Sequence, residues 1–214
     1  MLLGGAAAAG TVVLGACQKS QASPKPAASP SPSASTSPSP SPPDLQAATL
    51  AAALENLLMA VYDTAISAAT DGRLGVVPAV AVGFLTTTRA HHADHGRAWA
   101  ALLEQNHTSP VDGTPLTAAD ALLRQVAKAK TFSEFGIIAV EAERLAAATY
   151  LASVTSAALE TVVTTGVSIA PVEAEHAAAL ALLTGQAPLA HPSAGSLWDL
   201  HAAFTVTDLT APAS

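Results

Sequence analysis

The chain has 214 residues, half of them hydrophobic, with only 4% aromatic and 12% charged. That length allows one medium-sized folded unit, whose apolar content must come mainly from alanine, leucine and valine. The 16 acidic residues outnumber the 9 basic ones for a net charge of -7, and there is one cysteine, Cys17. Nucleic acid is therefore excluded as a partner for want of a basic surface, and an internal disulfide or a thiolate zinc site for want of a second thiol.

Leu2 to Ala16 form an apolar run that ends in Leu14-Gly15-Ala16-Cys17. The run is shorter than the roughly 20 residues a membrane-spanning helix needs. It looks like a lipoprotein signal peptide, residues 1–17, in which the small residues of the lipobox admit the signal peptidase and the Cys17 thiol then carries the lipid. Such a peptide opens with Lys or Arg. Nothing basic precedes the run, so a basic segment, of the twin-arginine kind or another, is expected upstream of Met1. The mature protein would then be exported and held by lipid at the outer face of the cytoplasmic membrane.

Residues 18–43 are almost entirely Ser, Pro, Ala and Thr, with prolines at 24, 26, 30, 32, 38, 40, 42 and 43. Such a segment offers neither a helical hydrogen-bond ladder nor side chains to pack, which makes it a disordered tether. Its reach is on the order of tens of Å. A glycosylated stalk has the same composition.

From Asp44 the pattern becomes helical and alanine-rich, and no segment alternates with period two. The expected helices run from Leu45 to Ala69, from Val77 to Gln105, from Phe132 to Ser153 and from Leu159 to Leu183. A shorter one covers Ala118 to Ala129. Thr117 with Asp120, and Thr131 with Glu134, have the spacing of capping boxes. Pro171 is expected to kink the last helix, and Gly185 followed by Pro188 ends it. Four long helices of similar length predict an all-α fold, a four-helix bundle over residues 44–186, with residues 187–214 as a C-terminal tail. The tail carries His191, Trp198, His201 and Phe204, and it either packs along the bundle or covers a site.

Polar residues interrupt the apolar stripes in a repeated way. Glu55 shares a helical face with Ala51, Leu58, Met59 and Tyr62, and Glu143 with Ala146, Ala147 and Tyr150, because residues three, four and seven apart lie on one stripe. Both helices thus carry Glu-x6-Tyr. The other two long helices carry ionisable pairs at i, i+3: His92 with His95, and Glu173 with His176. The bundle reads as two helical hairpins of one design. In dinuclear carboxylate bundles one Glu from each of two helices and a Glu-x-x-His from each of two others converge on the axis, and Glu173 with His176 fits that template. Tyr62 and Tyr150 read as core residues with satisfied hydroxyls, or as supports or redox partners of such a centre. Trp99, Phe84 and Phe135 read as core.

Three segments, FLTTTRAHHADHGRAWAALL, TFSEFGIIAVEAERLAAATYL and SIAPVEAEHAAALALLTGQ, carry a resemblance to exported bacterial ferritin-like domain proteins, many of them actinobacterial. It extends from about Leu45 to Gln186. The resemblance implies iron or manganese at a dinuclear centre, with oxidase-type chemistry on Fe(II), oxygen or peroxide. By position, Glu55 and Glu143 match the single-helix glutamates, Glu173 and His176 one Glu-x-x-His, and His95 the second histidine. His92 stands where the broader pattern has Glu. Three carboxylates and three histidines lose the usual charge match to two divalent cations, which leaves a mononuclear centre, a weaker one or its loss as alternatives. His91 with Asp94 is an offset pair that could face inward instead, and Glu141 rivals Glu143. No Gly-rich phosphate loop, Gly-x-Ser-x-Gly elbow or His-Glu-x-x-His is present.

Two functions of different class follow: a lipid-anchored metalloprotein, or a metal-free lipoprotein that uses a degenerate bundle for binding or assembly. The expected partners are the membrane, through lipid on Cys17, and metal ions. A ferritin-type storage cage is not expected, since a tether and lipid on every subunit would crowd a closed shell; a homodimer is the assembly that stays open. Replacing the modified thiol tests the anchor: Cys17→Ser is expected to release the protein from membranes or block its processing, and unchanged fractionation and mass in that variant would remove the anchor.

Overall fold

A computed structural model describes residues 41–188 and 203–210. Cys17, residues 18–40 and the tail residues His191, Trp198 and His201 lie outside the described residues. Five α-helices follow in order: α1 (Pro42–Thr70), α2 (Ala79–Gln105), α3 (Ala119–Lys128), α4 (Phe132–Ser156) and α5 (Glu160–Leu183). A 3-10 turn covers Val206–Asp208, and the described residues contain no strand.

α1 begins at Pro42, earlier than the expected Leu45, so its first residues come from the proline-rich stretch. Two prolines are compatible with a helix start because the first-turn N–H groups have no intrahelical partner. Ser41 and Asp44 form the capping box: the Asp44 carboxylate accepts from Ser41 N at 2.9 Å, and Ser41 Oγ accepts from Asp44 N at 3.4 Å. α4 runs past the expected Ser153 to Ser156. Thr131 caps α4 by accepting from Glu134 N at 3.1 Å, whereas Glu134 accepts from Lys130 N. At α3 the expected box is not formed. Ala118 is the cap and makes no side-chain bond, and Thr117 N donates instead to Asp208 O at 2.9 Å. α5 continues through Pro171, and Gly185, at φ 76°, ends it.

Contacts along the helices fix their directions. Glu55 meets Tyr150 and Tyr62 meets Glu143, so α1 and α4 run antiparallel. His92 meets Glu143 and Trp99 meets Tyr150, so α2 and α4 run parallel. The pairs α1–α2 and α4–α5 are therefore antiparallel hairpins. Joining them with α2 parallel to α4 requires the chain to return along the bundle, which is what residues 106–131 do. Asn56 on α1 pins that crossover by donating to Val111 O at 2.9 Å and Gly113 O at 2.8 Å. α3 lays Val126, with Leu122 and Leu123, against the core. Residues 203–210 dock on the crossover and on α4, through the Leu116–Leu209 bridge, Thr210 N to Pro115 O, and Phe204 N to Thr149 Oγ1 at 3.0 Å. For these residues of the tail, packing along the bundle is the outcome.

The core is made of small side chains, with Ala48, Ala53, Ala146 and Ala181 wholly buried beside Leu57, Leu85, Leu103 and Leu180. α4 and α5 approach closely: a Cβ at Gly166 would come within 2.5 Å of Val154 Cγ1, and one at Gly136 would overlap Thr184. By length and composition α1 and α5 could each cross a bilayer, yet both bury a glutamate in this shared core.

Asp44 ties the ends of the two hairpins together. Its Oδ1 accepts from Ala158 N at 2.8 Å and from Leu159 N, the cap of α5, at 3.0 Å. Burial alone would raise its pKa, but the hydrogen bonds from Ser41, Leu159 and Ala158 outweigh that and hold it at about 2. A carboxyl depressed in this way contributes stability above its ordinary value of 3.8, which is lost as pH falls toward 2. Asp44→Ala is expected to cost about 2 kcal/mol at neutral pH, read from urea denaturation, with the gap to wild type closing in acid below pH 4. A pH-independent gap would show that the carboxylate charge is not what stabilises this end.

Candidate metal centre

Each long helix brings ionisable side chains to the same level of the bundle: Glu55 from α1, His92 and His95 from α2, Glu143 from α4, Glu173 and His176 from α5. All three glutamates and His92 have no exposed surface, and His176 is 5% exposed. All six side chains singled out by spacing therefore meet. They form two overlapping groups, Glu55 with His92, His95 and Glu173, and Glu143 with His92, Glu173 and His176. In each group the ligating atoms lie within 4.8 Å of one another.

His92 is the central contact. Its Nδ1 lies 2.8 Å from Glu55 Oε2 and its Nε2 3.2 Å from Glu143 Oε1, and Glu173 Oε2 is 3.7 Å from Nδ1. Glu173 spans the two groups from the other side, with Oε1 2.9 Å from His95 Nδ1 and Oε2 3.3 Å from His176 Nδ1. The two Glu-x6-Tyr motifs pair reciprocally: Tyr62 donates to Glu143, and Tyr150 to Glu55. Antiparallel α1 and α4 place each tyrosine opposite the other helix's glutamate, so one motif repeated twice satisfies both. Trp99 Nε1 donates to the Tyr150 hydroxyl at 3.1 Å, and Tyr62 stacks on His92 with ring centroids 5.4 Å apart. Phe135 is wholly buried against Tyr62, while Phe84 sets its edge against His176.

The rival residues stay outside. Asp94 pairs with Arg97 on the surface, and Glu141 is exposed and pairs with Arg144 at 3.0 Å. His91 does not enter the centre but lies at its rim, its Nδ1 2.9 Å from the outward Nε2 of His176. Spacing along α2 gave no sign of this contact, because it joins an exposed histidine to a different helix.

Burial and the crowding of charge decide the protonation. Burial alone would lower the pKa of His92, but Glu143, Glu55 and Glu173 raise it well above 6.5. His95 and His176 are lowered by burial too, yet their neighbouring glutamates bring both to about 9. Burial would raise Glu55 and Glu143, but the imidazoles beside them hold both below the ordinary carboxylate value. Glu173 is raised by burial, which its two histidines do not overcome. Tyr62 and Tyr150 are pushed well above 10 by burial and then by the glutamates they serve, so both keep their protons.

The donor set fits a transition metal. Mixed imidazole and carboxylate donors suit iron, manganese or zinc better than calcium. His95 Nδ1, Glu143 Oε2 and Glu173 Oε1 are buried without an aligned hydrogen-bond partner among the described residues, which is costly unless something else satisfies them. Residues 43–186 match the ferritin-like domain family, and the chain belongs to it. No curated protein matches the chain, and no solved structure does.

Without metal, the network depends on charged imidazoles. A histidine whose pKa is raised on folding contributes stability that is complete below its unfolded value near 6.5 and is lost as pH rises through the folded value, about 9 for His95 and His176. The melting temperature of chelator-treated protein is therefore expected to fall by several degrees between pH 6.5 and 9.5. A melting temperature flat across that window would mean that the imidazolium–carboxylate contacts do not stabilise the bundle.

Proposed function

We propose that this chain is a lipid-anchored, extracytoplasmic ferritin-like protein that holds iron or manganese between its long helices, with Fe(II), oxygen or peroxide as its substrates. The observation that carries the reading is the meeting of three carboxylates and three imidazoles from four helices, where Glu143 Oε2 has no hydrogen bond and the 2.9 Å contact of His95 Nδ1 with Glu173 Oε1 is not an aligned one. Glu55, Glu143, Glu173, His95 and His176 would hold the metal, together with His92. A bound iron or manganese ion would supply the one-electron exchange that none of these side chains offers by itself.

The protein's own contribution is to position and to exclude water. Tyr62 and Tyr150 each occupy one oxygen of a glutamate and leave the other for the centre. His91 is placed to accept from His176 Nε2, fixing the tautomer that leaves Nδ1 free toward the glutamates. His95, whose side chain is 14% exposed, is the most accessible of the six, so small molecules and ions would approach between α2 and α5. The lipobox at Cys17 and the proline-rich segment support placement outside the cytoplasmic membrane.

A second reading rests on a specific observation as well. Three buried carboxylates face three imidazoles, so protonated histidines can neutralise the site without metal, as a binding or assembly module would require. Metal loading separates the two. Iron or manganese at about a hundredfold over Kd is expected to add roughly 2.7 kcal/mol of stability, seen as a higher melting temperature, and His176→Ala is expected to abolish most of that rise. Absence of bound metal after aerobic and anaerobic reconstitution would leave the binding module as the function.

A further inference from the structure

We infer that the centre takes one divalent transition-metal ion per chain in place of a carboxylate-bridged pair, and that His92 sets this number. The inference rests on the metal-binding reading and adds to it a stoichiometry and the residue responsible.

The two donor groups are not independent. Only Glu55 and His95 belong to the first alone, and only Glu143 and His176 to the second; His92 and Glu173 are common to both. A pair of ions that each took all four residues of its group would need both shared residues to serve as bridges; with Glu173 alone as bridge, one ion is left with only three of these side chains. Glu173 is built for that role, because its two oxygens face different histidines, Oε1 toward His95 and Oε2 toward His176. His92 is not. A neutral imidazole has one lone pair and one N–H, so it can ligate a single ion, and its two nitrogens point apart across the ring toward Glu55 and Glu143. A carboxylate at this position would present both oxygens to one side.

Charge gives the same answer. Two divalent ions bring four positive charges against three carboxylates, leaving an excess positive charge where Glu55, Glu143, Glu173 and His92 have no exposed surface. The other nearby acids do not remove it: Asp94 and Glu141 are exposed and paired with arginines, and Glu175 is exposed. Tyr62 and Tyr150 already donate their protons to glutamates. One divalent ion instead leaves a single negative charge, which one proton on an imidazole balances. The pseudo-symmetry of the hairpins marks the position that changed. His92 precedes His95 on α2 as Glu173 precedes His176 on α5, so the fourth carboxylate of a paired centre is the one His92 replaces.

Equilibrium dialysis of the full chain against Mn(II) without oxygen, followed by elemental analysis and electron paramagnetic resonance, tests this directly. The wild type is expected to retain one Mn(II) per chain with the six-line spectrum of an isolated ion. His92→Glu is expected to double the retained metal and to replace that spectrum with the signal of an exchange-coupled pair. Because a fourth buried carboxylate can unfold the metal-free chain, this variant is refolded with Mn(II) and its helicity checked. His92→Gln adds no charge and is expected to retain no more than one ion. Two ions per wild-type chain would overturn the inference and leave the metal-binding reading intact; none would overturn both. A folded His92→Glu that stays at one ion, or a His92→Gln that rises to two, would overturn the role given to His92.

Discussion

The bundle is organised around the cost of removing three carboxylates from water. Glu55, Glu143 and Glu173 sit with no exposed surface among alanines and leucines, where an unpaired carboxylate would lose several kcal/mol of hydration. Every feature of the middle of the fold addresses that cost. Two tyrosine hydroxyls and three imidazoles surround the three carboxylates, and among the described residues no lysine or arginine takes part. A lysine or arginine would neutralise the carboxylates permanently, whereas a histidine can give up its proton and offer a lone pair. The site is thereby neutralised in one protonation state and offers free lone pairs in another.

The topology follows from the same centre. Reciprocal bonds between Tyr62 and Glu143 and between Tyr150 and Glu55 require α1 and α4 to be antiparallel and in register. The hairpins then place α2 parallel to α4, and only a long crossover can connect them. The Asn56 bonds to Val111 and Gly113 hold that crossover against the helix that carries Glu55, and residues 203–210 close over it. Alanine in the core and glycine between α4 and α5 bring the backbones near enough for short side chains to meet across four helices.

Much of this was legible in the sequence because the clustered glutamates and histidines lie on stripes that are otherwise apolar. Glu-x6-Tyr on two helices and the i, i+3 pairs on the other two located the six side chains that meet in the middle of the bundle, and the resemblance named the fold. What periodicity could not show is anything that joins distant positions. Swapping of tyrosines between motifs depends on the direction of α4 relative to α1, and the contact of His91 with His176 on how α2 faces α5. The reach of Asp44 to Ala158 and Leu159 lies more than a hundred residues along the chain. Helix ends were misjudged where local rules compete: Pro42 and Pro43 read as tether, although proline is favourable in a first turn. Thr117 read as a cap, but its N–H was taken by Asp208 from the far end of the chain.

The position of Asp44 has a mechanical consequence. The chain enters the bundle at Ser41, and the first turn of α1 is fastened by one carboxylate to the connection between α4 and α5. Tension arriving along the preceding residues therefore cannot unwind α1 turn by turn without first parting bonds that belong to the opposite hairpin. The load is shared between both halves of the bundle at the end away from the α1–α2 turn, and the level of Glu55 and His92, a few turns further along, is shielded from it.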